Sequence, residues 1–234
     1  WPFVLLAGAL AGSGWALIAG ILKTRRGAPE IITTIMLNYI ALRLIEFAVQ
    51  GPLQERARTQ PQSDLFPEAS QLRALMADTN LHAGLLVAIA CAVAVWWLLN
   101  RTERGFLMRA VGANALASRA MGIESEKQTL GVVALCGALA GLGGACEIAG
   151  ATKQLGLGGF GYGYTAIAVA LLAGLNPLRV LVAALLFGML SAGGGAMERT
   201  ANVPAATVNI VVGVLIFVIA VLPRLQKVGA GKAT

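Results

Sequence analysis

The chain has little charge and few of the side chains from which active sites are assembled. Of its 234 residues, 12% are charged, about half the roughly 25% usual in soluble domains. With 57% hydrophobic residues, such a chain cannot clothe a soluble surface, and the composition defines a polytopic membrane protein. The single histidine, His82, stands at the edge of an apolar run, which argues against a histidine metal site or a Ser-His-Asp triad. Cys91, Cys136 and Cys146 lie inside apolar runs without metal-ligand spacing, so they read as small hydrophobes and imply no disulfide framework. Aromatic residues make up 6% and are not interleaved with the bases, so the net charge of +7 does not describe a nucleic-acid surface. No ATP-binding P-loop occurs. Gly156-Leu-Gly-Gly-Phe-Gly161 fits GxGxxG, but no strand precedes it, and it reads as a close-packing glycine turn. Glu147, near the end of an apolar run, reads as a snorkelling or paired carboxylate. An intramembrane enzyme would need paired catalytic groups within the apolar segments, and none stand at suitable spacing, so neither catalysis nor a cofactor is expected of this chain.

What is present is a succession of apolar runs. Seven membrane segments are predicted: Phe3 to Leu22, Ile31 to Gln50, Ala83 to Leu99, Leu130 to Ala149, Tyr162 to Leu175, Leu178 to Ala196 and Ala206 to Leu222. The fold class is therefore all-α, a polytopic helical transmembrane protein. A span needs about 20 helical residues, so the fifth run is short, and breakers flank it in Gly156 to Gly163 and Asn176-Pro177. It is expected to be broken or re-entrant, with protein or a water-filled cavity around it. Small residues recur every fourth position in segment one (Gly8, Gly12, Ala16, Gly20) and in segment four (Gly137, Gly141, Ala145, Ala149). Such ladders let helix backbones approach closely in lipid.

The distribution of Lys and Arg predicts orientation. Arg101 to Gln128, between segments three and four, holds Arg101, Arg104, Arg109, Arg119 and Lys127. With this loop in the cytoplasm, Lys23, Arg25, Arg26, Arg179, Arg224, Lys227 and Lys232 also fall inside, against Arg56, Arg58, Arg73, Lys153 and Arg199 outside. The N-terminus is then outside and the C-terminus inside. Within the basic loop, Asn114 is a candidate N-cap and Gly122 a candidate C′ residue for one short surface helix. Taken alone, such a loop reads first as a connector lying on anionic lipid and only second as a docking element. Gly51 to His82 is the long polar connection on the other side, expected to form an extended turn followed by a short helix. It is either an ordinary extracytoplasmic loop or a contact surface for a soluble partner. A chain opening at Trp1, with no initiator Met and no basic leader before its first span, is expected to be a fragment, its residues 1–234 forming a single transmembrane domain.

Segment two differs in its chemistry. Ile31 to Gln50 carries Thr33, Thr34, Asn38, Tyr39, Arg43 and Glu46, groups that are costly against hydrocarbon. Thr34 and Asn38, four apart, share a helix face, while Tyr39, Arg43, Glu46 and Gln50 make a second polar stripe. Either an aqueous pathway lies against them, or Thr and Asn bond to neighbouring helices and Arg43 pairs with Glu46.

Three stretches carry a family resemblance: Gly27-Ala-Pro-Glu-Ile-Ile-Thr-Thr-Ile-Met-Leu-Asn-Tyr-Ile-Ala41; Arg101-Thr through Arg109-Ala-Val-Gly-Ala-Asn114 to Met121-Gly-Ile123; and Ala166-Ile-Ala-Val-Ala-Leu-Leu172 followed by Asn176-Pro177. In order and spacing they resemble the membrane permease subunits of ABC importers in the branched-chain amino acid, ribose and nucleoside group. The first stretch resembles the nucleoside or simple-sugar branch. The resemblance implies a multi-pass protein of the bacterial plasma (inner) membrane. Its implied partners are a second permease subunit, cytoplasmic ATP-binding subunits and an extracytoplasmic substrate-binding protein, with lipid around it and no nucleic acid. It implies transport by alternating access, with Thr33, Thr34 and Asn38 along the substrate path. Arg109, Asn114, Ala117 and Gly122 would couple to the ATPase through the loop over residues 101–128. Relatives commonly have an Ala-Ala-x-Tyr pattern where this chain has Ala117-Ser118-Arg119-Ala120. A passive channel and a purely structural membrane subunit remain as alternatives. For the substrate, ribose, another sugar or a branched-chain amino acid stands beside a nucleoside.

Overall fold

The computed structural model describes residues 1–56, 60–73, 81–157 and 161–201, with positions 210, 213 and 214. The described residues contain eight α-helices: α1 (Pro2–Arg26), α2 (Glu30–Gln50), α3 (Gly84–Arg101), α4 (Glu103–Ala113), α5 (Ala115–Ala120), α6 (Ser125–Glu147), α7 (Tyr162–Leu172) and α8 (Pro177–Ala201). Among the described residues, five helical stretches are long and apolar enough to cross a membrane: Pro2–Arg26, Glu30–Gln50, Gly84–Arg101, Ser125–Thr152 and Pro177–Thr200. The expected fifth segment is the short α7, of 11 residues. The expected seventh, Ala206 to Leu222, lies outside the described residues apart from three positions. The helices outrun their apolar cores: α1 continues to Arg26 and α6 begins at Ser125, because backbone hydrogen bonding extends into the polar interface beyond the hydrocarbon.

The chain divides into two compact units, residues 1–159 and 160–234. The first is organised by α1 against α6. Gly8 faces Gly141 and Ala145, Gly12 faces Gly137 and Gly141, and Gly20 faces Val133 and Leu130. Rising numbers on α1 meet falling numbers on α6, so the two helices run antiparallel. The two small-residue ladders of the sequence are thus the two sides of one crossing. Ile31, Ile35, Leu44 and Phe47 are exposed on α2, with Tyr39 and Arg43 exposed among them.

Two breaks shape the basic connection. Thr102 ends α3 in an extended conformation, and its Oγ1 accepts the Gly105 N–H at 3.1 Å while donating to the Leu98 carbonyl at 2.6 Å. Gly105 then lies so close to α3 that an added Cβ would fall 2.7 Å from Leu99 Cα. The expectation of one short helix within Arg101 to Gln128 is corrected: α4 and α5 both lie there, because Thr102 caps a first helix and Asn114 a second.

The long polar connection is tied down. Ser63 donates its N–H to Leu155 O at 2.8 Å and accepts the Leu155 N–H on Oγ at 2.9 Å. Phe66 N–H meets Lys153 O at 3.0 Å, and Leu72 N–H meets Ala149 O at 2.8 Å. The extended stretch leads into a 3-10 turn at Glu68–Ser70. Its anchor is the end of α6, where a π turn over Ile148–Thr152 widens the helix before Lys153 closes it at φ 56°.

In the second unit, Ala168, Val169 and Ala173 of α7 and its end pack with Ala183 and Phe187 of α8. Gly174 and Leu175 reverse the chain in left-handed conformations. Asn176 Oδ1 then accepts the Leu178 N–H at 3.0 Å, capping α8 with Pro177 in its first turn.

Candidate functional site

Between α1, α2 and α6 lies a cavity of about 510 Å³, within the roughly 300–1,000 Å³ of small-molecule sites. Its polar lining comes mainly from α2, through Thr34, Asn38 and Glu30. Trp15 and Lys23 of α1 and Cys136 of α6 join them. The shared face of Thr34 and Asn38 is therefore turned into a cavity. Thr34 Oγ1 bonds to its own helix, at Glu30 O (2.9 Å) and Ile31 O (3.1 Å), as hydroxyls do in apolar helices. Thr33 bonds likewise to Pro29 O and Glu30 O, but it is not among the residues lining the cavity. On the second stripe, Arg43 Nη1 donates to Glu46 Oε2 at 2.6 Å, the ion pair expected one helical turn along.

A smaller cavity of about 230 Å³ adjoins α4. Met108, Val111 and Gly112 line it with Gln128 and Thr129 of α6, and again with Lys23 and Glu30. Lys23 and Glu30, seven apart across the α1–α2 turn, form an ion pair. Sequence reading missed Trp15, Lys23 and Glu30 as cavity residues. The available signal for the pair was a basic last turn and an acidic first turn separated by Gly27-Ala-Pro29.

In the basic connection, the four residues singled out by sequence fall into different structural roles. Asn114 caps α5, its Oδ1 accepting the N–H groups of Leu116 and Ala117 at 3.0 Å each. Caps of this kind are worth about 0.5–2 kcal/mol. Gly122, at φ 81°, ends α5 in a Schellman motif: its N–H reaches Arg119 O at 3.0 Å and the Ile123 N–H reaches Ser118 O at 2.9 Å. Arg109 Nη1 donates to Asn100 Oδ1 at 3.4 Å, linking α4 to α3. Ala117 is exposed. Ser118 is buried, and Ser125 Oγ donates to Ala115 O at 3.3 Å, so α5 is seated on the start of α6. α5 and its end present two large apolar side chains outward, Leu116 at 78% exposed and Met121 at 70%, beside the exposed Arg119. Side-chain identity had not marked them, because an apolar residue in a polar loop reads as packing until its direction is known.

Apolar helices long enough to cross a membrane, with a cavity between three of them that polar side chains help to line, define a helical membrane protein. The family described as branched-chain amino acid transport system / permease component matches residues 1–220. The chain is 35% identical to the guanosine ABC transporter permease protein NupP of Bacillus subtilis, over 98% of this chain and 69% of that protein. It is 36% identical to the glucose ABC transporter permease protein TsgB13 of Haloferax volcanii, over 92% of this chain and 60% of that one. It is 33% identical to the nucleoside ABC transporter permease protein NupB of Lactococcus lactis, over 100% of this chain and 68% of that one. No solved structure matches the chain. The chain belongs to this permease family, and with it to the multi-pass proteins of the plasma membrane. It spans between 60% and 69% of the length of these three relatives.

Proposed function

We propose that this chain carries part of the translocation path of an ATP-driven importer, and that its solute is a nucleoside, with a simple sugar as the alternative. The observation that carries the reading is the cavity of about 510 Å³ into which the Thr34–Asn38 face is turned. Groups that can exchange hydrogen bonds with hydroxyls or a base edge line it beside an apolar wall, the mixture small-molecule sites use. Two of the three relatives described above are named for nucleosides or guanosine and one for glucose. The chain forms and breaks no covalent bond in this reading. ATP-binding subunits dock on α4 and α5, a second permease subunit completes the path, and an extracytoplasmic binding protein delivers solute. ATP-driven access then alternates because the docked partner binds one arrangement of the helices more tightly than the other. Asn114 and Gly122 shape the docking helix, and Leu116 and Met121 are the side chains it offers.

The test is uptake by proteoliposomes holding the full complex, with ATP inside and the binding protein outside. Radiolabelled guanosine, ribose and glucose are compared. Nucleoside accumulation that stops with a catalytically dead ATPase is the expected result. Uptake that persists without ATP would instead identify a passive channel. In the same assay Asn38→Leu is expected to lower uptake about tenfold at equal protein, since a solute group left unpaired costs roughly 1–3 kcal/mol. ATPase association should persist. A fall merely proportional to lost protein would assign Asn38 to packing.

Orientation has its own check. Leu65, on the long polar connection, and Glu126, at the start of α6, are exposed and serve as reporters. With Cys91, Cys136 and Cys146 replaced by alanine, Leu65→Cys should react with an impermeant maleimide in intact cells. Glu126→Cys should react only after permeabilisation, and the opposite pattern would reverse the topology.

A further inference from the structure

The two cavities of the first unit have lining residues in common. Lys23, Glu30, Val132 and Val133 line both of them. On one side are Trp15, Thr34, Asn38 and Cys136; on the other are Met108, Val111 and Gly112 of α4. Val132 and Val133 belong to α6 and contribute a fixed apolar surface. The ion pair between Lys23 Nζ and Glu30 Oε2 supplies the charged part of the boundary.

The backbone around this pair is constrained while its side chains are not. Gly27, at φ 65°, closes α1 with its N–H on Lys23 O at 3.1 Å, and the Ala28 N–H reaches Leu22 O at 3.3 Å. Pro29 then fixes its own φ at −60° ahead of α2. The helix ends are held, so parting the boundary falls to the two side chains. Their exposures of 43% and 50% keep both charges partly hydrated. Lys23 sits in the last turn of α1 and Glu30 in the first turn of α2, the favourable helix ends for their signs. Each charge thus stays stabilised when the pair separates. A half-exposed pair of this kind closes weakly and reversibly.

We propose that the Lys23–Glu30 pair is a latch between the polar cavity and the space beside α4. Closed, it separates the two cavities; when α4 is displaced, the pair parts and they become one passage. The direction of its use rests on the permease reading proposed above, with α4 as the element a docked ATPase moves. The latch itself rests on the lining residues the two cavities have in common.

Cys136 lines the larger cavity and is exposed there, so its labelling rate from the α4 face is the reporter of the latch. In full-length chain with Cys91→Ala and Cys146→Ala, Cys136 is labelled by an impermeant maleimide in membrane vesicles of each orientation. The face bearing α4 is identified in parallel with Glu126→Cys. Glu30→Gln and Lys23→Met are each expected to raise the labelling rate from the α4 face by roughly two- to fivefold, the scale on which a half-exposed pair acts. From the other face the rate should stay unchanged. The reversed pair, Lys23→Glu with Glu30→Lys, should bring the rate back toward that of the parent. Equal rates in all variants, or a rise from both faces alike through general loosening, overturns the latch. Uptake in proteoliposomes separates the two ideas. Gated labelling without ATP-driven uptake keeps the latch and removes the importer reading, while uptake with ungated labelling does the reverse.

Discussion

Replacing Gly141 by leucine is expected to remove most of the folded protein from the membrane. A Cβ added there would fall on the carbonyl oxygen of Gly8, and one added at Gly12 on that of Gly137. At Gly8 the added atom would lie 2.7 Å from Ala145 Cβ and 2.9 Å from Gly141 O. Backbone atoms cannot rotate aside as a side chain can, so α1 and α6 must separate. Overpacking ordinarily costs about 1–3 kcal/mol, and a backbone-on-backbone crossing belongs at or above the top of that range. In lipid no compensating burial of apolar surface from water pulls the helices together again. Gly143→Leu is the control, because nothing lies within 4 Å of a Cβ at that position. Leucine favours helix over glycine by up to about 1 kcal/mol, so intrinsic propensity predicts a gain at both sites. The measurement is monodisperse yield and thermal midpoint after detergent extraction. Equal values for the two variants would show that the crossing does not hold the unit together.

The double change Leu116→Asp with Met121→Asp is expected to abolish recovery of the ATPase with the permease while leaving the permease folded. Both side chains point outward from α5 and are exposed, so two carboxylates cost little in the free chain. In a docked complex they would be desolvated without partners. An apolar hot spot at the centre of an interface is worth about 2 kcal/mol or more, so losing two gives about 4 kcal/mol and a fall of roughly a thousandfold in affinity. Asn114→Ala should act differently. It removes the acceptor for the Leu116 and Ala117 N–H groups, loosens α5 by about 0.5–2 kcal/mol, and weakens docking only in proportion. Quantitative co-purification and a thermal melt of the permease alone separate these outcomes. ATPase recovery undiminished by the double change would make α5 a connector.

Local pattern explains what was legible in advance. The apolar runs announce spans because a helix satisfies its own backbone in lipid, whatever its neighbours are. Asn114 and Gly122 announce the ends of α5 because capping and the left-handed conformation are decided by a few adjacent residues. The short fifth segment is likewise visible from its breakers, and α7 is short. Reading hydropathy alone merges α4 into a loop, since the Thr102 cap and the approach of Gly105 to Leu99 depend on the chain folding back on α3.

The sequence by itself determined an all-helical membrane protein, two small-residue ladders, a polar face on α2 and a capped helix in a basic connection, and it carried the family resemblance. Each follows from composition or from spacings within one turn or two of helix. Only the tertiary structure decided that the two ladders meet each other antiparallel, that Thr34 and Asn38 line a cavity which Thr33 does not, and that Leu116 and Met121 face outward while Ser118 is buried. It also decided that Lys23 and Glu30 line both cavities. These are relations between helices distant in the chain. Periodicity says which residues share a face but leaves open what that face meets, and in lipid, where every outer surface is apolar, hydrophobicity cannot choose the partner; close fit of backbone to backbone does.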